Sequence, residues 1–181
     1  MKQLQSIFSL TWVMALSLLL TLPVQAASSL PDYSLKYDQA RDPFKDGASA
    51  IKLAKESNRR ILIEVGGEWC KWCHTLDDFL DKNPDIKQRL HNTFVMLKIN
   101  VSDENNNSKF LKAFPKPLGY PHMYVTEKNG DILWSKDTAD FLVNGEYSRK
   151  QFTSFFDRWE IKNKLTSTEI PQAQKISRNT K

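Results

Sequence analysis

Cys70 and Cys73 are the residues of this sequence best suited to chemistry, because two thiols separated by two residues can form and break a disulfide. They are the two cysteines of the 181-residue chain, and they stand in the segment Trp69-Cys70-Lys71-Trp72-Cys73. An inert structural bridge is disfavoured, since closing so short a loop removes little entropy from the unfolded chain. Copper or zinc binding is the other alternative, with His74 or His122 as a further ligand, but a tetrahedral site normally needs a second ligand pair.

The cysteine pair falls where a predicted strand gives way to a predicted helix. The apolar run from Ile61 to Val65 ends at Gly66-Gly67, which is typical of a buried strand followed by a turn. The helix is indicated by apolar residues that recur on one face, namely Trp72, Leu76, Phe79 and Leu80. Unpaired backbone N–H groups and the positive dipole end at a helix start would favour a thiolate at Cys70.

Hydrophobic periodicity and turn signals predict the elements around this site. They indicate a helix from Asp42-Pro43 to about Ser57, a helix restart at Asn83-Pro84, a strand from Phe94 to Val101 and a brief helix at Phe110 and Leu111. Strands over 122–126 and 131–135 follow, joined by a turn at Lys128-Asn129-Gly130. A last helix runs through Phe152, Phe155, Phe156 and Trp159, behind a capping box of Ser148 and Gln151. This order predicts an α/β fold with a central mixed sheet flanked by helices.

The segment from Ile61 to Cys73 resembles the second strand and active site of the thioredoxin superfamily, and the resemblance covers roughly residues 43–162. It implies a thioredoxin-like fold and a thiol:disulfide oxidoreductase with Cys70 as nucleophile and Cys73 as resolving thiol. It also implies that Trp69 packs beside the cysteines, and that Glu64 is the buried acid that takes the proton from Cys73. A lone carboxylate in an apolar strand should have a raised pKa, which suits such a proton carrier.

The segment Gly119-Tyr120-Pro121-His122 carries the same resemblance. In similar proteins this proline is cis, and the main chain of the residue before it turns toward the sulfurs, where a substrate peptide can pair with it. We therefore expect Tyr120 and Pro121, together with Trp69 and Trp72, to contact substrate.

Two departures from the thioredoxin pattern bear on the direction of electron flow. Lys71-Trp72 stands between the cysteines in place of Gly-Pro, and Tyr120 replaces a small or β-branched residue. Both positions tune reduction potential and partner choice. The sequence favours a reductase or isomerase-type role over an oxidase, and a copper- or zinc-binding metallochaperone of the same fold is the alternative function.

Residues 1–26 have the order of a secretory signal peptide. One charged residue, Lys2, precedes an apolar run, and Val24-Gln25-Ala26 supplies small residues at the expected cleavage point after Ala26. An uncleaved membrane anchor is the alternative, and either interpretation places the domain outside the cytoplasm, in the periplasm or secreted. The remaining chain divides into an N-terminal extension over 27–42, a catalytic domain over 43–162 and a polar tail over 163–181.

Charge and composition limit the classes of partner that we expect this chain to bind. The 26 basic and 21 acidic residues are interleaved along the chain, whereas a nucleic-acid-binding protein would gather basic residues on one face. We expect protein thiols and disulfides as substrates, a separate redox partner, no nucleic acid, no cofactor and no resident metal. We further expect a monomer with no stable membrane insertion after signal cleavage.

Overall fold

A computed structural model describes residues 29–162 of the chain. The expected signal peptide at 1–26 and the polar tail at 163–181 therefore lie outside the described residues. Among the described residues, no helix is both long and apolar enough to cross a bilayer.

The centre of the domain is a mixed sheet of four strands with helices on both faces, as the sequence predicted. The strands are β1 (Arg60–Gly66), β2 (Phe94–Asn100), β3 (His122–Thr126) and β4 (Ile132–Asp137), arranged in the order β2-β1-β3-β4. β1 runs parallel to β2 and antiparallel to β3, and β3 and β4 form the predicted antiparallel hairpin. The parallel pairing places Glu64 directly opposite Lys98.

Within residues 29–162, five α-helices pack around this sheet. They are α1 (Pro43–Ser57), α2 (Lys71–Lys82), α3 (Pro84–Thr93), the short α4 (Ser108–Leu111) and α5 (Arg149–Trp159). α1 begins where predicted because the Asp42 carboxylate accepts hydrogen bonds from the backbone N–H groups of Phe44 and Lys45, while Pro43 occupies the first helical position. The restart predicted at Asn83-Pro84 separates α2 from α3.

The alternation of side chains along the strands produces two apolar cores, one on each face of the sheet. Ile61, Ile63 and Val65 of β1 pack with Ala50 and Ala54 of α1. On the other face the core is larger and joins α2, α3 and α5; it includes Leu62, Leu76, Leu90, Phe152 and Phe156. Glu64 and Lys98 follow the alternation of Leu62 and Met96, so they lie on the face that α2 covers.

The structure departs from the sequence predictions in two places. The capping box is wrong, because the Ser148 side chain forms no capping hydrogen bond, although α5 does begin at Arg149. Burial of four aromatic residues of α5 in the larger core is sufficient to fix the helix; they are Phe152, Phe155, Phe156 and Trp159. A small hairpin of β5 (Leu142–Val143) and β6 (Glu146–Tyr147) was not predicted, since strands of two residues leave no periodic signal.

A leucine pair tests how strongly α2 depends on the larger core. Leu76 of α2 is fully buried, whereas Leu118 is 88% exposed. We expect Leu76→Ala to lower the free energy of unfolding by about 2–5 kcal/mol through lost burial and a residual cavity. Leu118→Ala is the matched control and should change it by about 0.5 kcal/mol or less. Equal effects in urea titrations of the two oxidised variants would contradict this assignment of the core.

Candidate active site

Cys70 and Cys73 form a disulfide at the start of α2. Their Cα atoms are 5.2 Å apart, and the Cys70 sulfur also accepts a hydrogen bond of 3.1 Å from the backbone N–H of Cys73. Cys70 is the N-cap residue of α2, the position at which a side chain meets the unpaired N–H groups of the first helical turn. Such a donor stabilises a thiolate at Cys70 once the disulfide is reduced.

The two cysteines differ in their access to solvent. Cys70 retains 3% of its surface, while Cys73 has none. Cys73 packs with Tyr37 and Tyr120 in a small cluster beneath the site. Both sulfur-bearing side chains are thus buried in the oxidised form, and Cys70 is the more accessible of the two by a small margin.

Gly66, at the end of β1, allows the Cys73 sulfur to approach the sheet closely. A Cβ atom built on Gly66 would lie 2.5 Å from the Cys73 sulfur and 2.7 Å from the Tyr37 hydroxyl oxygen. These separations are far shorter than van der Waals contact, so any side chain at this position would displace one of the two groups.

Glu64 is the buried acid of the site, with no exposed surface. Its Oε1 atom accepts a hydrogen bond from the Tyr37 hydroxyl and lies 3.7 Å from the Lys98 ammonium. Its Oε2 atom is buried and has no hydrogen-bond partner among residues 29–162. Burial raises the pKa of the Glu64 carboxyl, although the positive charge of Lys98 acts in the opposite direction.

Lys98 connects the buried acid to the surface. Its ammonium lies 2.6 Å and 2.8 Å from the two carboxylate oxygens of Asp77, which is partly exposed on α2. It also lies 4.8 Å from the centre of the Tyr37 ring. Burial acts to lower the pKa of Lys98, but the carboxylates of Glu64 and Asp77 outweigh it and hold that pKa above its ordinary value.

Exposed aromatic side chains flank the disulfide. Trp69 is 58% exposed, donates a 2.5 Å hydrogen bond from its indole to the Val101 carbonyl, and meets the Tyr120 ring edge-on at 5.4 Å. Trp72 is 43% exposed and meets the Tyr147 ring edge-on at 6.2 Å.

The Tyr120–Pro121 peptide bond is cis, as the resemblance implied, and Pro121 is buried directly before β3. An open cleft beside Tyr120 is lined by Trp72, Asp137, Thr138 and Tyr147.

Both histidines considered as metal ligands make a polar contact through Nε2. His74 is exposed and its Nε2 atom lies 2.7 Å from the Glu68 carbonyl, while the buried His122 has its Nε2 atom 2.9 Å from the Ser135 hydroxyl. Burial lowers the pKa of His122. The described part of the chain contains no group of three or more His, Cys, Asp or Glu side chains placed to hold a metal ion.

Comparison with known proteins agrees with this geometry. Residues 42–127 match the family model described as thioredoxin-like. The described domain therefore has a thioredoxin-like fold. The thioredoxin-like domain has the fold of disulfide oxidoreductases, together with a close cysteine pair at the start of a helix.

Three similar proteins place the match in context. A disulphide isomerase from Xylella fastidiosa Temecula1 has a similar solved structure, with a TM-score of 0.56, 24% identity, and coverage of 73% of this chain and 98% of that one. Human spermatogenesis-associated protein 20 is 27% identical over 84 residues, which are 44% of this chain and 11% of that protein. The thiol:disulfide interchange protein DsbD of Haemophilus ducreyi is 22% identical over 97 residues, covering 53% of this chain and 17% of DsbD. The chain thus spans only a small part of the length of these two larger relatives.

Tyr120 packs against the cysteine pair, and Glu64 is linked to it through Tyr37. Trp69, Trp72 and Pro121 adjoin these residues in the chain, and the functional roles of all five stay predictions. Three residues near the cysteine pair and Glu64 were not predicted from the sequence, namely Tyr37, Asp77 and Lys98. Lys98 could have been noticed as a lone cation inside an apolar strand, and Asp77 lies one helical turn after Cys73. Tyr37 carries no local signal, because it reaches the site from the extension.

A glycine pair tests the close packing at the end of β1. We expect Gly66→Ala to lower the free energy of unfolding by about 1–3 kcal/mol, because the new methyl group must displace the Cys73 sulfur or the Tyr37 hydroxyl. In α1, a Cβ on Gly47 would make only ordinary contact, 3.5 Å from the Phe110 ring. Gly47→Ala should therefore raise stability by about 0.4–1 kcal/mol. Thermal unfolding of both variants measures the contrast, and a neutral Gly66→Ala would refute the packing.

Proposed function

We propose that this chain is a thiol:disulfide oxidoreductase that acts on exported proteins through Cys70 and Cys73. The observation that carries the proposal is the disulfide at the start of α2 in a thioredoxin-like domain, with Cys70 at the N-cap of the helix and Cys73 fully buried. A purely structural bridge would need neither an N-cap position for one of its sulfurs nor a buried acid nearby.

The first step in the reducing direction is attack by the Cys70 thiolate on a substrate disulfide. A bond forms between the Cys70 sulfur and one substrate sulfur, and the other substrate sulfur leaves as a thiolate. The hydrogen bond from the Cys73 N–H stabilises the Cys70 thiolate before this attack.

The second step releases the substrate. The Cys73 thiol gives its proton to the Glu64 carboxylate, and the resulting thiolate attacks the Cys70 sulfur. The Cys70–Cys73 disulfide forms, the second substrate sulfur leaves as a thiolate, and protons from Glu64 and water complete the two substrate thiols. Two electrons pass from the domain to the substrate, and a separate redox partner restores the dithiol.

The raised pKa of Glu64 suits this role. A carboxyl whose pKa lies closer to neutrality accepts a proton from a thiol at lower cost than an exposed carboxylate would. The positive charge of Lys98 opposes the effect of burial on the pKa of Glu64.

The substrate surface is assigned to the aromatic residues around Cys70. Trp69 and Trp72 offer apolar area on either side of the disulfide, and both remain substantially exposed. An extended substrate segment can lie along the main chain of Tyr120 and Pro121, beside the cleft near Trp72.

The proposed location and direction of the reaction are supported by the sequence and by the names of relatives. The signal-like order of residues 1–26 supports export to the periplasm or beyond, where disulfides persist. A reductase or isomerase-type role is favoured, in line with the names of the similar disulphide isomerase and of the thiol:disulfide interchange protein DsbD. We propose that the domain acts as a monomer on protein thiols and disulfides.

Covalent trapping tests the assignment of the two cysteines. Cys73→Ser should accumulate a mixed disulfide between Cys70 and a reducible protein such as insulin, because the resolving thiol is absent. Cys70→Ser is the matched control and should trap little, since Cys73 is buried. Non-reducing gel electrophoresis with mass spectrometry identifies the adduct, and equal trapping by both variants would contradict the proposed order of attack.

The reduction potential distinguishes the possible directions. Equilibration with glutathione buffers should give a value between about −270 and −180 mV, the range of thioredoxin and protein disulfide isomerase. A value near −120 mV, characteristic of a strong oxidant, would overturn the reductase or isomerase assignment. Intrinsic tryptophan fluorescence can report the redox state, because Trp69 and Trp72 adjoin the disulfide.

A further inference from the structure

The N-terminal extension contributes a side chain to the buried acid. Tyr37 precedes the 42–127 segment shared with the thioredoxin-like family, yet it is buried and packs against both cysteines. Its hydroxyl donates a hydrogen bond to Oε1 of Glu64. Through Tyr37, the extension therefore contacts both the cysteine pair and the buried acid.

The Tyr37 hydroxyl also adjoins the resolving cysteine. The point where a Gly66 Cβ would lie is within 2.7 Å of the Tyr37 oxygen and 2.5 Å of the Cys73 sulfur. The Tyr37 hydroxyl, which donates to Glu64, consequently lies close to the Cys73 sulfur at the end of β1.

The hydrogen-bonding pattern makes the two Glu64 oxygens inequivalent. Oε1 receives the Tyr37 hydroxyl and faces the Lys98 ammonium, while Oε2 is buried without a partner among the described residues. The titratable groups that face Glu64 are Lys98 on β2, Asp77 on α2, Tyr147 on β6 and Tyr37 itself. Of these, Tyr37 and Lys98 stabilise the carboxylate, and Asp77 opposes its ionisation.

We propose that Tyr37 is a positioning residue that occupies Oε1 of Glu64 and leaves Oε2 as the acceptor of the Cys73 proton. This inference rests on the proposed function, in which Glu64 deprotonates Cys73. A hydrogen bond to the charged form of an acid lowers its pKa, so the Tyr37 hydroxyl keeps Glu64 ionised at a lower pH than burial alone would allow.

Tyr37→Phe tests the proposal, because it removes the hydroxyl while keeping the ring beside Lys98. Two measurements apply to the full chain. The pKa of Glu64 is followed by carbon NMR of its carboxyl in the oxidised protein. The resolving step is followed by adding 5,5′-dithiobis(2-nitrobenzoate) to the reduced protein, since Cys73 must release a second thionitrobenzoate from the adduct at Cys70.

We expect Tyr37→Phe to raise both the pKa of Glu64 and the pH midpoint of the second release, each by about one unit. Below the midpoint, the second release should then be about tenfold slower than in the wild type, since each unit of pKa is a factor of ten in the carboxylate fraction. In a Glu64→Gln background, adding Tyr37→Phe should cause no further change in the release.

Tyr33→Phe is the matched control, because Tyr33 is buried in the same extension but packs in the core on the α1 side of the sheet. It should leave both measurements unchanged. Replacement of Tyr37 by 3-fluorotyrosine keeps the side chain nearly isosteric and makes its hydroxyl a stronger donor. The pKa of Glu64 and the pH midpoint of the second release should therefore both be lower than in the wild type. This second variant keeps the test informative if Tyr37→Phe fails to fold.

Unchanged Glu64 titration in Tyr37→Phe, or an equal shift in Tyr33→Phe, would overturn the inference. A shifted NMR pKa with an unmoved release profile would also overturn it, because Tyr37 would then set the carboxyl without affecting Cys73. Failure of the wild type to reduce or isomerise any protein disulfide would instead reject the proposed function, while the two pH measurements would still decide the role of Tyr37.

Discussion

A carboxylate with no exposed surface is the group around which this site is built. Transferring an unpaired carboxylate from water into a protein interior costs several kcal/mol, so the fold must supply compensating partners. The parallel pairing of β1 with β2 supplies Lys98 opposite Glu64, and the extension supplies the Tyr37 hydroxyl. Two separate parts of the chain, β2 and the extension, thus supply partners to a single ionisable side chain of β1.

The helix that carries the sulfurs is tied to the same group. Cys73 and Asp77 are one turn apart on α2, and Asp77 holds the Lys98 ammonium that faces Glu64. Leu76, between them, anchors the helix in the larger core. Any shift of α2 relative to the sheet would therefore move the disulfide and the Asp77–Lys98 ion pair together.

Local patterns were sufficient to predict most of the fold and the reactive pair. The strand before Gly66, the Asp42 cap, the break at Pro84 and the hairpin at Gly130 all have short-range signals. The elements that sequence reasoning missed depend on distant contacts or on very short segments. Tyr37 meets Glu64 across 27 positions of the chain, and its role could not be predicted without knowing how the extension folds back over the sheet.

Lys98 illustrates an intermediate case. A single cation among apolar residues was visible in the sequence, but its partner depends on which residue of β1 lies beside it in the sheet. A shift of one residue in the pairing would have moved Lys98 out of register with Glu64. The offset of Glu64 from Cys70 was informative only through resemblance, because spacing alone does not distinguish a buried acid from an exposed one.

The origin of Tyr37 outside the family-matched segment bears on how such domains diverge. A chimaera with residues 1–41 from a homologue would keep the cysteine pair, the sheet and Lys98 of this chain. Whether a tyrosine hydroxyl reaches Glu64, as that of Tyr37 does here, would then depend on the homologue's N-terminal segment. Homologues that share the catalytic segment can thus differ in the acidity of the buried carboxyl through a stretch of chain that alignment of the common domain does not include.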